Sequence, residues 1–143
     1  MPLRPGITID AINERCRGSL PGLVGFRITA LEEGLVVAEL EIRPDLLAPN
    51  GYLHAATVIA LADTACGFGC IAHMPKGAEN FTTIELKTNF LNTARDGTLA
   101  CIARPAHLGN TTQVWDASVT RHLDGKTIAL FRCTQMVLWP KAK

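Results

Sequence analysis

The chain carries almost no net charge: 14 Lys+Arg stand against 13 Asp+Glu, a formal balance of +1. Neither a basic run nor a patterned basic face occurs. Nucleic acid is therefore not an expected partner, because phosphate recognition needs clustered cations. The opening stretch MPLRPGITID lacks a continuous apolar segment, so no secretory signal is read there. Internal repeats and low-complexity segments are also missing. The cysteines do not come in an even number: Cys16, Cys66, Cys70, Cys101 and Cys133 make 5, most of them inside apolar runs. This argues against a disulfide framework. Reduced, buried thiols in a reducing compartment are expected instead, with the cytoplasm as the location.

What is present is a globular composition. The chain has 143 residues, 48% hydrophobic and 19% charged, which suits one domain (1–143) around one packed core. The stretch 54–74 carries a single charge, Asp63, and is long enough to cross a bilayer. It is rich in Ala, Gly and Thr, and a carboxylate near its centre is costly in lipid. A helix buried inside protein is the reading adopted, with no membrane as partner.

Along the chain, a short helix capped by Thr8 or Asp10 is expected over 8–16. Strands follow over 23–31 and 35–43, joined by a turn at Glu33-Gly34. In the second strand Val36, Ala38, Leu40 and Ile42 alternate with Val37, Glu39, Glu41 and Arg43, so one face is buried and the other mostly polar. A loop with Pro49-Asn50-Gly51 leads to the long helix, which starts near His54 or Ala55 and ends at Pro75 and Gly77. Four more strands read over 81–91, 98–106, 111–122 and 126–138. Asp96-Gly97, Gly109-Asn110 and Asp124-Gly125 are taken as hairpin turns joining them into a meander. The fold class is α+β: an antiparallel sheet wrapped around one long, apolar helix.

Asp63 is the most informative residue. It sits in LADTACG, in a helix otherwise apolar on every side, with no Lys or Arg within one turn. A buried carboxylate without a partner costs several kcal/mol. It either bonds a distant backbone group and fixes the fold, or it does chemistry. The helix start, Asn50-Gly51-Tyr52-Leu53-His54-Ala55-Ala56, is the second feature. The first N–H groups of a helix lack intrahelical partners and lie at the positive end of its dipole. Small residues at Ala55 and Ala56 let a ligand approach them, and such N–H groups can hold an oxyanion. They also simply permit close packing.

These two features lie eight residues apart, about 12 Å along the axis and about 80° around it. One reacting carbon cannot meet both within one helix, so a shared site at a homodimer interface is expected. His54 either orients the Asn50 loop or acts chemically. Cys66, Cys70 and His73 have helical spacing that suits a metal, but no fourth ligand is evident, and buried thiols are the default. Metal and cofactor are expected to be none. Thr82 and Thr83 open a strand, where a hydroxyl can hold water or Asp63.

The segments GYLHAATVIALADTACG, FTTIELKTNFLNTA and the later GNTT and DGKTIALF resemble the hotdog-fold thioesterases of the phenylacetyl-CoA and 4-hydroxybenzoyl-CoA type. The resemblance runs from about Val36 to Leu138. It implies an acyl-CoA substrate and a homodimer with shared active sites, extending to a homotetramer as a dimer of dimers. The family motif His-Gly-Gly falls on His54-Ala55-Ala56. The resemblance implies the acid at Asp63, the oxyanion-holding N–H at Ala55 and an assisting hydroxyl at Thr83. Gly51, Ala56 and Thr64 fall at substrate-binding positions. Many members place an Asn six residues before the His, where this chain has Ala48, and Asn50 is the expected substitute. CoA phosphates need cations, and Arg95, Arg104 and Lys126 are candidates. Leu53, Val58, Leu61, Phe68 and Phe90 are expected to line the acyl pocket. Two rivals remain at this stage: an acyl-CoA-binding protein without turnover, and a dehydratase using His54 with Asp63 across a β-hydroxyacyl chain.

Overall fold

The computed structural model describes residues 1–141. The elements are α1 (Ile9–Arg15), α2 (Leu20–Val24), β1 (Arg27–Glu32), β2 (Leu35–Glu41), a 3-10 turn (Pro44–Leu46), α3 (Ala55–Ala72), β3 (Asn80–Phe90), β4 (Thr98–Leu108), β5 (Thr112–Arg121) and β6 (Thr127–Leu138). The six strands form one antiparallel sheet in the order β1-β2-β4-β5-β6-β3. The sheet wraps α3, which packs against β2, β3, β4, β5 and β6. This is the hotdog architecture that the resemblance implies.

The alternation in β2 and β5 is observed. Val36, Ala38 and Leu40 face the core, as do Trp115, Ala117 and Val119, while Asp116, Ser118 and Thr120 face outward. By length and composition α3 could cross a membrane, but Leu61, Ala62, Ala65, Cys66 and Cys70 are all buried within the sheet's embrace.

Two expectations are corrected. Residues 23–31 do not form one strand. Ser19 precedes α2, Pro21 sits in its first turn, and Gly25 ends it with φ 81°, so the strand begins only at Arg27. Pro early and Gly just after the end is the pattern of a short helix. The last four strands are not a simple meander either. β4, β5 and β6 are consecutive neighbours, but β3 pairs with β6 at the far edge. Asp96-Gly97 is therefore no hairpin. The segment 91–97 crosses from β6, where the Leu91 N–H donates to the Ile128 carbonyl, to β2, where the Gly97 carbonyl accepts from Ile42. The turn at Asp124-Gly125 is a hairpin, held by the Arg121–Asp124 ion pair and the Asp124 carboxylate on the Lys126 N–H.

Two glycines seat α3. A methyl group at Gly69 would lie 2.6 Å from the Trp115 ring, and one at Gly67 would lie 2.9 Å from Phe81. Each glycine weakens a helix by about 1 kcal/mol relative to Ala. Here the aromatic rings take the space, and their burial outweighs that loss.

The C-terminus of α3 is held by His73. Its Nε2 accepts the Gly34 N–H at 2.9 Å, so the ring proton sits on Nδ1 and is donated to the Gly69 carbonyl at 2.8 Å. Gln113 donates to the His73 carbonyl and accepts from the Trp115 indole. Both ring nitrogens are thus occupied, which removes His73 from any metal set with Cys66 and Cys70. Burial holds its proton affinity below the ordinary histidine value, opposed in part by the Gly69 bond. The unfolded chain therefore binds this proton more readily than the folded one. Stability is full above about pH 6.5 and falls as the pH drops through the lower folded value. Denaturant midpoints at pH 7.5 and 5.5 should separate in the wild type and separate less in His73→Ala. That variant should also lose about 2 kcal/mol at pH 7.5, because the Gly34 N–H is left without its acceptor.

Candidate active site

Asp63 lies midway along α3 and is half-buried against β3. Its recorded side-chain partner is Thr83, whose hydroxyl oxygen stands 3.4 Å from the carboxylate. No ion pair reaches Asp63 among the described residues. Burial raises its proton affinity above that of an ordinary aspartate, and the Thr83 contact opposes this only in part. A carboxylate that is desolvated, uncompensated by a cation and still reachable has the properties of a general base.

Thr83 faces Asp63 because of strand parity. It pairs with Gln135 of β6 on the inner side, while Thr82 pairs with Met136 and points outward. A bulge at Ile84 follows, shifting the register between Thr83 and Glu85. Bulges of this kind re-aim neighbouring side chains and are frequent beside active sites. The Thr83 hydroxyl also lies 2.8 Å from Gln135 Oε1.

At the helix start, His54 is the N-cap, and its Nδ1 accepts the Ala56 N–H at 2.9 Å. A neutral ring then carries its proton on Nε2. Ala56 is therefore not a free donor. The Ala55 N–H has no protein partner among the described residues, and Ala55 is exposed. Of the two small residues, Ala55 alone offers an N–H to a ligand.

The preceding loop is a tight turn. The Gly51 N–H donates to the Ala48 carbonyl and the Ala48 N–H to the Tyr52 carbonyl, with Gly51 at φ 81°. Asn50 accepts the Tyr52 N–H through Oδ1 at 3.2 Å. Its carboxamide oxygen is thus spent on the turn, and only the amide N–H groups remain for a ligand. The Arg95 guanidinium stacks 4.2 Å from the centre of the Tyr52 ring, next to the helix start. Thr64 is half-buried beside Asp63.

The expected acyl-pocket residues divide. Leu53, Val58 and Leu61 are buried in the core, Phe68 stacks on Phe26, and Phe90 is exposed on the edge strand. The thiols are all free and buried. Burial pushes Cys70 and Cys101 up to about 12, and Cys66 is held well above the ordinary value first by its hydrogen bond with Cys133 and then by burial. Such thiols are unreactive at neutral pH.

The sequence reading missed Gln135 altogether. The signal was present: Phe131, Cys133, Gln135 and Val137 share one parity in β6 and are buried. A glutamine on that face must have a polar partner inside.

The model of the thioesterase superfamily matches residues 50–128, which hold both the helix start and Asp63. This chain belongs to that superfamily. It is a thioester hydrolase. Among its curated relatives is the 1,4-dihydroxy-2-naphthoyl-CoA hydrolase of Listeria monocytogenes, 31% identical over 78% of this chain and 89% of that protein. The proofreading thioesterase EntH of Klebsiella pneumoniae is 29% identical, over 79% of this chain and 82% of its own length. Among solved structures, a mutant thioesterase of Pseudomonas aeruginosa superposes with a TM-score of 0.90 at 26% identity, covering 96% of this chain and 99% of that one. The thioesterase assignment removes the non-enzymatic rival, and it leaves the dehydratase reading without support.

Proposed function

We propose that this thioesterase hydrolyses acyl-CoA, with Asp63 activating water and the Ala55 N–H holding the oxyanion. The observation that carries this reading is the half-buried Asp63, which has raised proton affinity and no cationic partner among the described residues. As the water attacks the thioester carbon, Asp63 takes its proton and the carbonyl oxygen becomes negative. The first N–H of α3, at the positive end of an 18-residue helix, meets that charge. Collapse of the tetrahedral species expels the CoA thiolate. Thr83 is the hydroxyl beside Asp63, His54 fixes the helix start, and the Asn50 amide takes the place of the family Asn absent at Ala48. Gly51, Ala56 and Thr64 border the bound thioester.

The site is shared between two copies. Asp63 and Ala55 are separated by about 12 Å along the axis, more than one carbonyl spans. The edge strand β3 supports this reading. It carries Thr83, has a free hydrogen-bonding side among the described residues, and exposes Ile84, Leu86 and Phe90, the first to 55%. An apolar unpaired edge invites pairing with a second copy. The outer sheet face, with Ile102 and Leu130 exposed, is the surface for a dimer of dimers, giving a homotetramer. The reduced, buried thiols suit the cytoplasm.

Aroyl-CoA is the first substrate to try, because a relative is named for a naphthoyl-CoA. Release of free thiol should be followed over aroyl-, short- and medium-chain acyl-CoAs. Aroyl-CoA is expected to be cleaved with the highest kcat/KM. Saturable binding of every acyl-CoA without thiol release would remove this reading.

A further inference from the structure

The proton of the Thr83 hydroxyl is claimed by two acceptors. Asp63 Oδ1 stands at 3.4 Å, long for a hydroxyl bond, and Gln135 Oε1 at 2.8 Å, an ordinary length. A hydroxyl has one proton to give. The closer partner takes it, and the carboxylate keeps only a weak contact.

Gln135 is held in this attitude from behind. Its side chain is fully buried, and its Nε2 donates to Cys133 Sγ at 3.2 Å. With the amide nitrogen on the sulfur, Oε1 is turned toward Thr83. The backbone supports the same arrangement, since Thr83 and Gln135 are register partners in the β3–β6 ladder. A chain of contacts thus runs from Asp63 through Thr83 and Gln135 to Cys133.

We propose that Gln135 is a positioning residue of this thioesterase: by taking the Thr83 proton it withholds that proton from Asp63 and keeps the carboxylate a stronger base. A second hydrogen bond to a carboxylate would stabilise its ionised form and weaken it as a base. The inference rests on Asp63 being the base in the proposed mechanism. It adds that the base is tuned by a residue that touches neither substrate nor Asp63 itself.

The surroundings leave few other groups to set this value. On α3, Cys66 and Cys70 are the ionisable side chains near Asp63, with His73 at the helix end. Inward from β4 and β6 come Cys101 and Cys133. The inward residues of β2 are Val36, Ala38 and Leu40, and those of β5 are Gln113, Trp115, Ala117 and Val119, none of them ionisable. On β3, Glu85 and Lys87 are exposed, and α2 (Leu20–Val24) holds no charged residue. Burial therefore raises the proton affinity of Asp63, and the Thr83 hydroxyl is the side-chain contact that opposes it.

The test is the proton affinity of Asp63, read two ways: by carbon-13 NMR titration of its carboxyl, and by the acid limb of kcat/KM. Gln135→Met keeps the volume and removes the acceptor. Asp63 should then gain the Thr83 proton, and both readings should move to lower pH by about half a unit to one unit. Gln135→Glu keeps an acceptor, and both readings should move upward. A structural role would give losses without opposite shifts. Thr83→Val removes the contested proton, so adding Gln135→Met to it should move neither reading. Near-ultraviolet circular dichroism of each variant reports whether the core is intact. No shift in Gln135→Met with the core intact, or a shift that persists in the Thr83→Val background, would overturn the proposal. The NMR titration does not need turnover. If Asp63→Asn proved active, the base assignment would fall separately, even where the carboxyl titration shifted as expected.

Discussion

Asp63→Asn should lose hydrolysis by about a thousandfold in kcat, within the range that removal of a general base produces, and at the same time become harder to unfold at pH 7. The two effects share one cause. Burial raises the proton affinity of Asp63 in the folded protein above its value in the unfolded chain. A carboxyl with a raised folded pKa stabilises the fold only when protonated. Its ionisation works against the fold, an effect absent below the unfolded value near 4 and growing as the pH rises through the folded value. Asparagine has no charge to desolvate, so its thermal midpoint should exceed that of the wild type at pH 7, and the gap should close near pH 4. A variant that is inactive and less stable at pH 7 would show that Asp63 anchors the fold, the alternative that its sequence context left open.

Ala55→Pro should abolish turnover without unfolding the protein. Ala55 is the first residue of α3, a position where proline is favoured because its missing N–H has no helical partner. The residue before a proline must avoid the helical region, and His54 already does, with φ -69° and ψ 136°. The substitution is therefore a local deletion of one N–H. Loss of one oxyanion donor reduces kcat by about a hundred- to a thousandfold, and the circular dichroism spectrum should be unchanged. Mixing this variant with Asp63→Asn gives a stricter result. If each site takes its acid from one copy and its N–H from the other, a mixed dimer has one site with both defects and one with neither. Random exchange should restore about a quarter of the wild-type activity from two inactive proteins. Absence of recovery, with exchange shown by mass spectrometry, would place each site within a single copy.

Local pattern in the sequence revealed what local physics decides. The period of two in β2 and β5 and the uniformly apolar α3 each follow from which side chains can be buried, and all are found. Asp63 was legible because a carboxylate among apolar neighbours is conspicuous, whereas only the family resemblance separated Thr83 from Thr82. The place of β3 was not, since nothing within residues 80–90 says whether the strand pairs with the next strand or with the last. That choice is made by contacts some fifty residues apart, such as Thr83 with Gln135. The helix α2 was missed because its five residues are too short for a period to show, although Pro21 and Gly25 mark its two ends. The occupied N–H of Ala56 depends on which way the His54 ring turns, and only coordinates reveal that.

During synthesis β3 leaves the ribosome well before its ladder partner β6. Every residue of β4 and β5 must follow before β6 (Thr127–Leu138) can dock beside it. Until then Ile84 and Leu86 are displayed on a strand with two open sides, in a nascent chain most at risk from its neighbours. Strand β6 therefore acts as a latch. It closes the sheet, shelters the strand that bears Thr83, and brings Gln135 and Cys133 into place in one step. Shortening the chain into β6 should thus cost solubility and activity together, although Asp63 and Ala55 were made long before.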